Sequence, residues 1–351
     1  MSGRFPCRNR FLFSQTISDT CIYVRGDGEQ KVIIVVWVDD LVIASSCEQS
    51  AICLKQQLSN KFKMKDFGSL SYFLGIQFEV TKSEIKMHQS NYALKILEKF
   101  QMLDCNPKYV PCDLNVSNID FDGTSDELAD TRLYREIVGS LVYLMTCTRP
   151  DLCYVVTVLS QHLAAPKVSH FNLAKYVLRY LRGSVSHGLS FSKGPLNIVG
   201  FTDASWASTG DRRSISGYCY SIGTQSSLVS WKSKKQPIVA LSSCEAEYIS
   251  ITYAMQEGTF LLQLLSEMGY DREIANVKLM VDNKGAMDLA KNPVHHQRTK
   301  HIHTRYHYIR SKVLDGSFDL CYVPSKQNVA DIFTKPCTKF ALREFKVVLP
   351  V

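Results

Sequence analysis

Apolar positions change their spacing several times along the chain, and each change marks an element. Residues 31–46 hold two apolar runs, 32–38 and 41–44, on either side of Asp39-Asp40. That is the pattern of a β-hairpin with carboxylates at its turn. Ala51, Leu54, Leu58 and Phe62 then recur at helical spacing over 48–62. Two strands are predicted at 72–80 and 85–87, and a helix over 92–100. Residues 104–131 collect two prolines, an Asp-Gly pair and small polar residues, a linker composition. Helical patterns follow at 134–146, 152–163 and 171–182, with Pro150 and Pro166 at the breaks.

From 188 onward the spacing turns to strands, expected at 188–192, 198–204, 216–223 and 228–232. A long helix is predicted over 243–268, where Gly258 is the sole breaker. After it come a strand at 277–281, helices at 285–290 and 299–313, a strand at 318–323 and a short helix at 329–333. Strands that give way to alternating helix and strand predict a mixed sheet with helices packed on it.

Composition narrows the class. At 351 residues the chain suits two or three domains, and 45% apolar with 21% charged positions is a globular balance. No apolar run approaches the roughly 20 residues of a membrane-spanning helix, so no membrane partner is expected. The stretch Met1-Ser2-Gly3-Arg4-Phe5-Pro6 has no apolar h-region. The expectation is therefore a cytoplasmic or nuclear protein that is not secreted, with its twelve scattered cysteines reduced. The net charge of +8 is uneven. Residues 291–346 carry eleven Lys/Arg against four acids, with five histidines close by, which suits a polyanion partner.

Four acids sit where phosphodiester hydrolysis would need them. In-line cleavage is served by two hard cations roughly 3.5–4 Å apart, held by carboxylates. Asp203 ends an apolar strand, Glu247 opens the long helix, Asp282 follows the strand at 277–281, and Asp331 opens the last short helix. Any one of them alone reads as a turn residue, an N-cap or a solvated helix acid.

Their surroundings carry more. Val199-Gly200-Phe201-Thr202-Asp203-Ala204-Ser205-Trp206-Ala207 resembles the first catalytic strand of copia-type retrotransposon RNase H domains. Arg212 to Tyr218, Ser230 to Gln236 and Leu241-Ser242-Ser243-Cys244-Glu245-Ala246-Glu247-Tyr248 resemble the segments that follow it. So do Val281-Asp282-Asn283-Lys284-Gly285-Ala286, Arg298-Thr299-Lys300-His301-Ile302 and Ala330-Asp331-Ile332-Phe333-Thr334-Lys335-Pro336. Upstream, Trp37-Val38-Asp39-Asp40 resembles the Tyr-Val-Asp-Asp hairpin of reverse transcriptases, and Tyr72-Phe73-Leu74-Gly75-Ile76 a later palm segment. Tyr134 to Leu141 with Thr148-Arg149-Pro150-Asp151 resembles the family's connecting region. Nearly the whole chain thus resembles the C-terminal part of a copia-type Pol polyprotein.

The resemblance implies an α+β / α/β fold: a truncated reverse-transcriptase palm with a helical connection, then an RNase H-like mixed five-stranded sheet with helices. It divides the chain into a partial palm (1–103), a linker and thumb-like connection (104–187) and an RNase H-like domain (188–351). The implied activity is endonucleolytic hydrolysis of the RNA strand of an RNA–DNA hybrid. Asp203, Glu247, Asp282 and Asp331 would hold two magnesium or manganese ions, with Asp39 and Asp40 as further metal-binding acids. Lys300, His301, Arg305 and Arg310 are the expected contacts to nucleic acid.

Several points stay open. Glu245 competes with Glu247, since two residues apart on a helix they face different ways; the apolar and small residues after Glu247 favour it. His303 stands where the family usually has Asp, and Trp37 replaces the usual Tyr. A palm needs a further Asp on a neighbouring strand, and Asp19, Asp27 and Glu29 match no such motif. The polymerase half is therefore expected to be inactive unless the missing N-terminal part of Pol partners it. The alternative function is a catalytically inert retrotransposon fragment that at most binds nucleic acid. A zinc module on His295, His296, His301, His303 and His307 is disfavoured, because no Glu follows His303 in place and no cysteine pair is near.

Overall fold

The computed structural model describes residues 12–114, 127–223, 227–274, 276–291 and 300–348, the side chains of 300–304 and 346–348 excepted. Two compact units divide the chain: Met1–Leu70 with Thr259–Ala275, and Ser71–Gly258 with Asn276–Val351.

In the first unit four antiparallel strands follow chain order: β1 (Ser14–Gln15), β2 (Ile22–Arg25), β3 (Val32–Trp37) and β4 (Asp40–Ser45). Val32 and Ile34, two apart on β3, turn one face inward. Leu54 and Leu58, four apart on α1 (Glu48–Ser59), join the same core, and all four are buried. The β3–β4 hairpin pairs Trp37 with Asp40, and Val38 in its turn takes a φ of 53°. A β-branched residue in that region costs about 1–3 kcal/mol. Residues 259–275 are anchored within this unit. Lys31 donates to the Gly269 carbonyl oxygen at 2.8 Å, and its ammonium lies over the Tyr270 ring.

The second unit opens with β5 (Tyr72–Phe73), β6 (Ile76–Val80) and β7 (Glu84–His88). The single strand expected over 72–80 is two strands, because Leu74 and Gly75 take φ of 48° and 76° and reverse the chain. Four helices follow: α2 (Ser90–Lys99), α3 (Thr131–Cys147), α4 (Cys153–Ser160) and α5 (Val168–Arg182). Asp130 starts α3 earlier than the apolar spacing predicts, accepting from the Arg132 and Leu133 N–H groups. β8 (Gly188–Ser192) runs antiparallel to β7, so it completes the sheet β5-β6-β7-β8.

The remaining elements build a second sheet in this unit. They are β9 (Ile198–Ser205), β10 (Ile215–Ile222), β11 (Leu228–Lys235), α6 (Ser243–Glu267, in this unit as far as Gly258), β12 (Val277–Val281), α7 (Lys284–Lys291), α8 (Lys300–Leu314), β13 (Phe318–Tyr322) and α9 (Lys339–Val348). The strand order is β11-β10-β9-β12-β13, antiparallel from β11 to β9 and parallel from β9 to β13. The sheet is mixed, as the alternation of helix and strand predicts. Its Cys219 and Leu228, with Phe333 of the segment after β13, share one core with Leu97, Leu141, Val156 and Leu178 of the preceding helices. Trp231 of β11 donates its indole N–H to the Met145 carbonyl oxygen at 2.9 Å, fixing α3 against the sheet.

Candidate metal centre

Parallel pairing of β9 and β12 sets Thr202 opposite Val281. The next residues, Asp203 and Asp282, therefore emerge side by side at one end of the sheet. Asn283 then caps α7 by accepting from the Ala286 N–H at 3.0 Å. Asp331 arrives in a 3-10 turn, Val329–Phe333. Asn328 ties that turn to β9: its amide donates to the Thr202 carbonyl oxygen at 2.9 Å, and its Oδ1 accepts from the Ala330 N–H at 3.1 Å.

A glycine makes the approach possible. Gly217 pairs with Asp203 across β10, and a Cβ there would lie 2.7 Å from both Phe333 Cβ and Thr334 Cγ2. With no side chain in the way, one carboxylate oxygen from each of Asp203, Asp282 and Asp331 lies within 4.8 Å of the others. Thr334 donates its hydroxyl to Asp203 Oδ2. Lys335 Nζ lies 2.8 Å from Asp331 Oδ2.

Glu247 on α6 is buried, and its Oε1 accepts from the Ala204 N–H at 3.2 Å. Its Oε2 is buried with no hydrogen-bond partner, as is Asp331 Oδ1. Ser250, one turn along, donates to the Asp203 carbonyl oxygen at 2.7 Å and pairs with the Thr202 hydroxyl at 2.9 Å. Glu245 does something else. Its carboxylate accepts from the Leu241 N–H at 2.8 Å, and its own N–H donates to Ser242 Oγ at 3.1 Å, closing the start of α6. The signal for this is in the sequence, since Ser242-Ser243-Cys244-Glu245 has capping-box spacing.

Crowded carboxylates resist ionisation. Burial, then the neighbouring Asp331, push the Asp203 carboxyl up to about 7. Burial and the charges of Asp203 and Asp282 push Glu247 up to about 9. Burial also raises Asp331, against the pull of Lys335. The Lys335 ammonium is raised too: burial opposes its charge, and Asp203, Asp331 and Asp282 outweigh burial. Three aspartates plus the buried, unpartnered Oε2 of Glu247 form an all-oxygen donor set. That fits divalent cations preferring oxygen, magnesium or manganese.

The other expected site residues are spread out. Asp39 and Asp40 are exposed at the β3–β4 turn. Among the described residues, the group of three ligand-bearing side chains that could hold a metal is Asp203, Asp282 and Asp331. Arg310 is exposed on α8, whereas Arg305 is half-buried with its guanidinium 5.4 Å from the centre of the Tyr253 ring. The side chains of Lys300, His301 and His303 lie outside the described ones, as do residues His295 and His296. Thr334, Lys335, Asn328, Ser250 and Gly217 carry no signal of their own in the sequence. All five lie in or beside the motifs that carry the acids, and the geometry distinguishes them.

Comparison with known proteins adds lineage. A family described as reverse transcriptase (RNA-dependent DNA polymerase) matches residues 8–114. The retrovirus-related Pol polyprotein from transposon RE2 of Arabidopsis thaliana is 38% identical over 338 residues, 95% of this chain and 23% of that protein. The corresponding polyprotein from transposon TNT 1-94 of Nicotiana tabacum is 36% identical over 340 residues, 94% of this chain and 25% of that protein. The chain thus spans about a quarter of the length of these relatives. Among solved structures, the N-terminal RNase H domain of a Mycobacterium tuberculosis protein aligns at 11% identity and a TM-score of 0.31. That alignment covers 44% of this chain and 96% of that one.

Proposed function

The chain belongs to the copia-type retrotransposon Pol polyproteins, and from that premise we propose that its five-stranded sheet and helices form an RNase H. The domain would hydrolyse the RNA strand of an RNA–DNA hybrid using two magnesium or manganese ions. The observation that carries this reading is the convergence of Asp203, Asp282 and Asp331 to within 4.8 Å, with Glu247 buried behind them.

Asp203, the most buried of the three aspartates, is the central ligand in this proposal, flanked by Asp282 and Asp331. The unpartnered Oε2 of Glu247 completes the set. Bound there, the ions would activate a water and stabilise the departing 3′ oxygen. The chain's own groups hold the ligands in place. Thr334 orients the Asp203 carboxylate, Ser250 fixes the Asp203 backbone, and Asn328 fixes the turn that delivers Asp331. Lys300, His301, Arg305 and Arg310 of α8 are assigned to phosphates of the hybrid. Residues 1–103 are assigned to a reverse-transcriptase palm and 104–187 to the connection. Exposed Asp39 and Asp40 gather no third acid among the described residues, so primer extension by this chain alone is not expected.

The test is cleavage of a labelled RNA–DNA hybrid by the full chain, with single-stranded RNA as control. Wild type should cut the hybrid with magnesium or manganese, and Asp203→Asn should stop cutting while leaving hybrid binding intact. A folded wild type that cuts with neither ion leaves the alternative, a nucleic-acid-binding Pol fragment without catalysis.

A further inference from the structure

The carboxylate cluster has a cation of its own. Backbone N–H groups of Thr334 and Lys335 both donate to the Asp331 carbonyl oxygen, at 3.1 and 3.2 Å, so Lys335 sits one helical step beyond Asp331. That places its side chain over the Asp331 carboxylate, with Nζ 2.8 Å from Oδ2. The same ammonium feels Asp203 and Asp282 as well as Asp331. No other Lys or Arg among the described residues forms an ion pair with any of the four acids. The contact is not locked in: the Lys335 side chain keeps 48% of its exposure, on a flexible four-carbon stem. Asp331 meanwhile holds Oδ1 buried and without a partner. One oxygen of this ligand is taken by the ammonium and the other is open.

We propose that Lys335 is the built-in counter-cation of the cluster. Its ammonium balances the aspartates in the metal-free chain, swings into solvent as divalent ions bind, and so sets their affinity. The inference rests on the reading of Asp203, Asp282 and Asp331 as a metal centre. The physical reason is charge economy at short range. A dication among these carboxylates repels an ammonium a few ångströms away, and in a partly buried site that repulsion is weakly screened. Binding is therefore an exchange of one cation for another, and its affinity reports the difference.

The experiment is a calorimetric titration of the full metal-free chain with Mn2+, comparing wild type, Lys335→Met, Lys335→Arg and Asp282→Asn. Lys335→Met should bind Mn2+ roughly tenfold more tightly, which corresponds to about 1.4 kcal/mol, and should melt at a lower temperature in EDTA. Lys335→Arg keeps the charge and should stay near wild type in both measurements, which loss of packing alone would not explain. A second readout needs no variant. Acetylation of Lys335 by acetic anhydride, followed by mass spectrometry, should increase on adding Mn2+ as the ammonium leaves its pair. Equal or weaker Mn2+ binding by Lys335→Met, or unchanged Lys335 acetylation, overturns the proposal. If Asp282→Asn still loses binding in that case, the metal centre stands without it. Absence of Mn2+ binding by every protein, wild type included, removes both readings.

Discussion

Arg149 holds Asp151, two residues on, in a two-pronged ion pair: Nε to Oδ1 at 3.0 Å and Nη2 to Oδ2 at 2.8 Å. Neither side chain is more than 1% exposed. The Tyr180 hydroxyl donates to Asp151 Oδ2 at 2.7 Å, and Arg149 also donates to the Ser184 carbonyl and hydroxyl oxygens. Burial alone would raise the Asp151 carboxyl; Arg149 outweighs it and holds it at about 2. An unfolded aspartate titrates near about 3.9. The depressed value therefore adds stability that is fully present above that point and lost as pH falls toward 2. Asp151→Asn strands a buried guanidinium and should cost about 3–5 kcal/mol at neutral pH. Thermal melts should show the gap to wild type narrowing below pH 4. A gap that stays constant down to pH 2 would contradict this account.

Gly217→Ala should damage the centre without unfolding the sheet. The new methyl would lie 2.7 Å from Phe333 Cβ and Thr334 Cγ2, so the turn carrying Asp331 must lift. Overpacking of this kind costs about 1–3 kcal/mol. The expected outcome is a modest drop in melting temperature with a disproportionate loss of Mn2+ affinity and of hybrid cleavage. Wild-type metal binding by a folded Gly217→Ala protein would show that the close approach is dispensable.

Without metal, the cluster should make the protein less stable as pH rises. Burial and mutual repulsion place the folded carboxyls of Asp203 and Glu247 near about 7 and 9. Unfolded counterparts lie near about 3.9 and 4.3. The folded state thus holds extra protons between those limits, and its stability falls as they leave. In EDTA, melting temperature should decline from pH 5 to pH 8, less steeply in Asp203→Asn. Added Mn2+ should stabilise more at pH 8 than at pH 5, because ligands must shed protons to bind. Parallel curves for wild type and Asp203→Asn at every pH would refute it.

Hybrid binding should weaken with salt through the face of α8. Each phosphate contact contributes about 0.9 to the slope of log affinity against log salt on B-form DNA. Replacing Lys300, Arg305 and Arg310 together by Ala should flatten that slope. Arg305→Ala alone should have the smaller effect, since this side chain is half-buried against Tyr253 whereas Arg310 is exposed. An unchanged slope in the triple variant would move the binding face elsewhere.

Local pattern made much of this molecule legible. The hairpin around Asp39-Asp40 and the strands leading to Asp203 and Asp282 follow from their short apolar runs, which pair with neighbouring strands in the sheets. What escaped depends on partners distant in sequence. β1 and β2 are short strands of two and four residues, too brief to show a period. α9 follows Pro336 in a basic stretch, where its buried Leu342 and Phe345 are only three apart. Glu245 and Glu247 part company through backbone groups that the helical spacing does not show: Leu241 N–H engages the first, and Ala204 N–H, next to Asp203, engages the second. Thr334 reaches Asp203 across 131 residues of chain, a contact that no local spacing shows.

The partnership of β8 with β7 bears on how the five-stranded sheet can be excised. A fragment opening at Gly188 would carry β8 with nothing beside it, an unpaired strand of the kind that seeds sticking between copies. Opening after Ser192 avoids that hazard, but either cut strips α3 and α4 from β11, uncovering the apolar flank formed by Cys219 and Leu228. The five-stranded sheet is therefore not a detachable cassette. Any rearrangement that preserves the carboxylate cluster must inherit the upstream helices along with the four acids.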